Sequence, residues 1–220
     1  MADPRYAKLA KNLVEYSTRI QPGEKVLINA GDGEENLTRE LVKAVYAAGG
    51  LPFVEYRQAK VQRELLKGMT VEQLELMRER DQAFMEKMDA YIGIAYGANS
   101  SELSGIPQEK MALFGQHYAK PVHSDTRVPK TKWLVMKAPS SAFAQQAGMS
   151  TEDFEDFYFN VCGMDYEKMS RAMEPLRDLM LRTDRVHIKG PGTDLTFSIK
   201  DIGVIKAEGR RNIPDGECYT

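Results

Sequence analysis

The 220-residue chain carries 30 Lys and Arg against 32 Asp and Glu, for a net charge of −2 and a pI of about 6.0, with 42% apolar residues. It has no basic stripe of the kind a nucleic-acid binder needs, and no apolar run long enough to span a membrane, so neither partner is expected. Two isolated cysteines, Cys162 and Cys218, without a CxxC pattern, argue against a disulfide scaffold and for free thiols in a reducing compartment.

The first ten residues lack a continuous apolar core, so no signal peptide is expected and the cytoplasm is the expected compartment. Asp3-Pro4 opens a helix, with Asp as N-cap and Pro at the first helical position. Tyr6, Leu9, Leu13, Tyr16 and Ile20 then recur at helical spacing, and Pro22-Gly23 ends the run. Residues 25–29 form a short apolar strand. A helix over 35–48 follows, with Leu37, Leu41, Ala44 and Ala48 inward and Asp32, Glu34 and Glu35 near its positive end. Gly49-Gly50 stops it, and 51–56 is the next strand.

Strand, helix and strand with tight glycine connections make a βαβ unit and therefore a parallel sheet. Helices are expected at 58–67 and 70–87, the second with a Thr70-x-x-Gln73 capping box. A strand at 90–95, a helix at 107–119 and a strand at 132–137 come next. Helices then begin near Ser140, Ser150 and Asp165; the last carries Met169, Met173, Leu176 and Met180 on one face, read as core packing. After Thr183 the helical pattern gives way to short strands at 185–189, 194–199 and 202–207, split by Gly and Pro turns. The expected class is α/β: a parallel-sheet, Rossmann-like domain with flanking helices over 1–182, followed over 183–220 by the first β-strands of a second domain.

Few residues carry chemistry. Gly31-Asp-Gly33 lacks the third glycine of a dinucleotide loop, because position 36 is Asn, and it reads as a tight turn. No HExxH or GxSxG motif occurs, and neither cysteine sits in a nucleophile pattern. Of the histidines, His117 reads as a surface or core-edge residue and His187 as part of a strand. His123 is placed in a loop after Pro121, where a metal pair with Asp125 is the alternative to a structural role. Near the end, Pro214-Asp215-Gly216 is turn chemistry that fixes the direction of Glu217. Alone it reads as a surface hairpin; a carboxylate on a rigid turn also suits a divalent cation.

Residues 212–220, Asn-Ile-Pro-Asp-Gly-Glu-Cys-Tyr-Thr, resemble the N-[MI]-P-[DG]-G-E-[VI]-[FY]-T segment of the thermophilic aminopeptidase family, the aminopeptidase T and aminopeptidase S type. Further matches run in order along the chain. They are Trp133 with Pro139, the Ala144-Gln-Gln-Ala-Gly-Met-Ser150 stretch, Glu152-Asp-Phe-Glu-Asp-Phe157, and Gly190 with Gly192-Thr193-Asp194-Leu195. Cys218 departs from the aliphatic residue usual there.

The resemblance implies removal of N-terminal residues from peptides by a pair of metal ions, zinc or cobalt, with Glu217 as one metal ligand. It implies a homodimer when full length. It also implies that 183–220 begins a catalytic domain whose other ligands and general base follow the segment matching Glu217, so no catalytic residue is expected in this chain and the chain alone is expected to be inactive. The other reading, from the fold, is a non-enzymatic small-ligand module whose crevice is lined by the loops after 25–29, 51–56 and 90–95, with Gly31, Gly33, Gly97 and Asn99.

Overall fold

The computed structural model describes residues 3–220; Met1 and Ala2, the first residues of the expected 1–182 unit, lie outside the described residues. Helix α1 (Pro4–Asn12) starts where the Asp3 carboxylate accepts a hydrogen bond from Arg5 N at 2.9 Å, and it widens into a π-helical turn over Leu13–Ser17. The first half of the chain then alternates as expected: β1 (Lys25–Gly31), α2 (Asn36–Ala47), β2 (Leu51–Arg57), α3 (Ala59–Gly68), α4 (Val71–Met85) and β3 (Ala90–Ala95). Thr70 Oγ1 caps α4 by accepting from Gln73 N at 3.2 Å. Helix α5 (Gln108–Phe114) passes into a π-helix over Gly115–Arg127 and a last turn, α6 (Val128–Lys130), before β4 (Lys132–Lys137). Then come α7 (Ser141–Gln146), α8 (Thr151–Cys162) and α9 (Tyr166–Leu181), each capped by its preceding Ser140, Ser150 or Asp165.

The C-terminal segment holds β5 (Arg185–Gly190), β6 (Thr193–Ser198), β7 (Ile205–Ala207), β8 (Asn212–Ile213) and β9 (Glu217–Tyr219). The main sheet is parallel throughout, in the order β2-β1-β3-β4-β8. Its strand order reverses at β1, which lies between β2 and β3. Alternate residues of the inner strands face two separate cores. Val26, Ile28, Ile92 and Leu134 pack beneath α1, α2 and α8 with Leu9, Leu37, Leu41 and Phe159; Leu27 and Tyr91 pack on the other side with Leu66, Leu74, Tyr118 and Val122. A sheet covered on both faces explains the continuous apolar runs of β1 and β3. Strand β2 is one edge, with most of its residues exposed, and β8 is the other.

Two local expectations are corrected. His123 lies within the π-helix, not in a loop, and the helix runs past 119. Pro121 has no N–H, and its ring would collide with a carbonyl in an α-helical turn; the wider turn relieves this, and Thr126 Oγ1 donates to Pro121 O at 2.8 Å. The apolar stripe of α9 is core only at its start. Met169 packs against the core, Met173 and Met180 are half-buried, and Leu176 is exposed; the polar contacts of α9 with β7 and β9 fall earlier, at Ser170, Met173 and Glu174.

Residues after 183 do three things. Strands β5 and β6 form an antiparallel hairpin exposed along almost its whole length. Strands β7 and β9 pair antiparallel against α9. Between them the two residues of β8 enter the main sheet beside β4, and Ile213 is buried in its core.

Candidate functional site

Glu217 follows a loop fastened at several points. Tyr16 Oη donates to Glu208 O at 2.9 Å and Ser17 Oγ to Gly209 O at 2.6 Å, both from the π-helical turn after α1. Gly209 N donates to the Asp215 carboxylate at 2.9 Å, closing the loop on itself. Val135 N donates to Arg211 O at 2.9 Å, and β8 then holds the chain in the sheet up to the cis Ile213–Pro214 bond.

Register decides where Glu217 points. Strand β9 pairs Glu217 with Ala207 and Cys218 with Lys206. The Lys206 ammonium donates to Ser170 O at 3.2 Å and Ser170 Oγ at 3.0 Å, and it pairs with Glu174 and, at 3.0 Å, with Glu208. Cys218 Sγ lies 3.9 Å from Met173 O. Lys206 and Cys218 therefore face α9. Since side chains alternate along a strand, Glu217 faces away from it, into solvent.

The residues present do not make a complete metal site. Glu217 is one exposed carboxylate, and no group of three or more His, Cys, Asp or Glu that could hold a metal occurs among the described residues. The alternative pair does not form. Asp125 is exposed and pairs with Lys120 at 2.8 Å, while His123 turns inward against the Tyr91 and Tyr118 rings. His117 Nδ1 contacts Glu75 at 2.7 Å and His187 Nε2 contacts Asp194 at 2.7 Å; each carboxylate is shared with a cation, Arg78 at 2.7 Å and Lys189 at 3.8 Å. Burial pushes the Cys162 thiol up to about 12, so it is no nucleophile at neutral pH.

Burial, with the charges of Arg57 and Arg127 nearby, pushes the His123 imidazole down to about 4. Its ordinary value is 6.5, so the unfolded chain binds a proton there that the folded chain refuses. Stability is therefore full above pH 6.5 and falls as pH drops from 6.5 toward 4. At pH 5 the loss from this group is about 2 kcal/mol. Urea unfolding at pH 7.5 and 5.0 is expected to show this loss in the native protein and to show most of it gone in His123→Phe.

The crevice outside the carboxyl ends of the strands also has its expected place. A cavity of about 540 Å³ opens there, with Gly31, Gly97 and Asn99 in its wall. Gly33 does not line it. The glycines of the first turn serve packing: a Cβ on Gly31 would lie 2.5 Å from Tyr96 O, and one on Gly33 would lie 3.2 Å from the Tyr96 ring. Two of the donors at the N-terminus of α2 are already taken, because the buried Glu34 carboxylate accepts from Leu37 N and Thr38 N, each at 2.9 Å. Acidic residues beside a helix start gave a hint of this cap in the sequence. The Lys206 cluster and the entry of β8 into the sheet gave none.

Residues 2–220 match the family described as thermophilic metalloprotease (M29). Aminopeptidase AmpS of Bacillus subtilis (strain 168) is 26% identical over an alignment covering 98% of this chain and 59% of the relative. The wild-type AmpT structure from Thermus thermophilus superposes with a TM-score of 0.72 at 20% identity, covering 96% of this chain and 59% of that one. A 2,5-dihydroxypyridine dioxygenase from Pseudomonas putida KT2440 shares the fold at a TM-score of 0.51 and 9% identity, over 97% and 54% of the two chains. The chain thus spans 59% of the length of the curated relative it matches.

Proposed function

The chain belongs to the thermophilic metalloprotease (M29) family, and on that premise we propose that it is the N-terminal part of a metal-dependent aminopeptidase that removes N-terminal residues from peptides. Residues 1–182 carry the supporting α/β domain, and 183–220 begin the catalytic domain, with β8 reaching back to pair with β4 at the edge of the first domain's sheet. Glu217 supplies one carboxylate to a pair of divalent ions, zinc or cobalt, completed by residues outside this chain. The complete enzyme is a cytoplasmic homodimer.

The observation that carries this reading is the family match over 2–220 together with the placement of Glu217. The one carboxylate that resembles a family ligand is turned away from the fold by a hairpin whose other face is tied to α9. Two uncombined thiols agree with a reducing compartment. No helix among the described residues is long and apolar enough to cross a membrane.

The purified 220-residue chain, given zinc or cobalt, is expected to leave leucine p-nitroanilide intact, because one carboxylate cannot hold a divalent ion for catalysis. Turnover by this chain would place the missing ligands within it and overturn the assignment. In the complete enzyme, Glu217→Gln is expected to lower kcat by at least about 100-fold and to reduce bound metal. Unchanged metal content in that variant removes Glu217 from the ligand set.

A further inference from the structure

The crevice at the β1/β3 strand reversal is lined by none of the residues assigned to the metal. It lies where open parallel sheets bind small molecules, outside the carboxyl ends of the strands and where the order reverses. Its volume, about 540 Å³, matches a ligand of amino-acid to dipeptide size. Two basic residues line it from opposite walls at the same level of the sheet, and Arg57 also borders the neighbouring cleft beside Arg80 and Asp81. Arg57 ends β2 beside Gly31, and Lys137 ends β4 beside Ala95.

Among the described residues, neither cation lies within 4.0 Å of a carboxylate oxygen. The nearby Asp81 already pairs with Arg80 at 2.6 Å, and Lys137 Nζ rests 4.8 Å over the Phe143 ring. The acid in the wall, Glu102, accepts from Asn99 Nδ2 at 3.2 Å. Asn29, 5% exposed, adds a polar group at the floor, held by its Nδ2 donating to Glu55 at 3.2 Å. At Gly93 the floor is bare backbone, where a Cβ would meet Tyr91 at 2.9 Å. Aromatic walls at Tyr91 and Phe143 suit an apolar group on the ligand.

The geometry points to a second, non-catalytic site here that binds a small carboxylate of amino-acid to dipeptide size, with Arg57 and Lys137 as its anion-binding side chains. Carboxylate is favoured over phosphate. Phosphate sites of this fold class draw on the first helix N-terminus, and here the Glu34 carboxylate already accepts from Leu37 N and Thr38 N there and repels a second anion. Arg57 offers a planar fork that matches a carboxylate.

The test is calorimetric titration of the 220-residue chain with leucyl-leucine, leucyl-leucinamide, inorganic phosphate and AMP. Binding does not depend on catalysis, so the site stands or falls separately from the aminopeptidase assignment. Leucyl-leucine is expected to bind in the micromolar to low millimolar range, and amidation of its carboxylate to weaken it by about 10-fold or more. Arg57→Gln and Lys137→Met are each expected to weaken it by a similar factor with unchanged urea unfolding. Equal binding of acid and amide, indifference to both substitutions, no binding of leucyl-leucine below about 10 mM, or tighter binding of phosphate or AMP each overturns the proposal.

Discussion

Replacing Gly209 by alanine is expected to cost about 2–4 kcal/mol in urea unfolding and to free the loop before Glu217. Gly209 sits at φ +81, a conformation that an L side chain adopts at a cost of about 1 kcal/mol. A Cβ built there also lies 2.4 Å from Cδ1 and 2.8 Å from Cγ of Tyr166. Tyr166 is 1% exposed and cannot swing into solvent without opening the core. Overpacking of this kind adds about 1–3 kcal/mol. The same residue holds two hydrogen bonds, its N–H to Asp215 and its carbonyl from Ser17 Oγ, so a shifted backbone loosens both ends of the loop. Gly192→Ala is the matched control. It has φ +71 with nothing within 4 Å of its Cβ, and only the conformational cost of about 1 kcal/mol is expected. Equal effects of the two substitutions would show that contact with Tyr166 is not what holds the loop.

Lys206→Met is expected to destabilise by about 2–4 kcal/mol at pH 7 and to raise amide exchange across 205–219. The lysine side chain is 11% exposed and reaches Ser170, Glu174 and Glu208 at once. Methionine keeps the packing of its stem but strands Glu208, whose side chain is 15% exposed, with only Arg210 as a counter-charge. The estimate sits below the range for a fully buried pair because Glu174 is partly solvated. Hydrogen bonds and the lysine charge hold the Glu174 and Glu208 carboxyls below their ordinary 4.5 despite the burial that opposes this. Their contribution is therefore complete above pH 4.5 and is lost as pH falls through their lower folded values. The gap between native protein and variant is expected to narrow below pH 4.5. A gap that stays constant to pH 3 would assign the effect to packing, not charge.

These two sites show where sequence reading stopped. The βαβ pattern, the capping residues Asp3, Thr70, Ser140, Ser150 and Asp165, and the strands at 25, 51, 90 and 132 were legible because period, cap and turn signals are local. The proposed ligand role of Glu217 rests on a motif. The direction of Glu217 was not legible, because that follows from the β7–β9 register and from Lys206 meeting α9, more than 30 residues earlier. The π-helix through His123 was missed because Pro121 normally ends a helix, and only the wider turn accommodates it.

The sequence by itself determined the α/β class, the order of the elements through α9 and the family to which the chain belongs, since these rest on periodicity and on residue types at fixed spacing. Only the tertiary structure decided that Asn212-Ile213 closes the main sheet beside β4 and that Arg57 and Lys137 share one crevice. Each of those joins residues far apart in the chain, and a two-residue strand leaves no period for a local pattern to record.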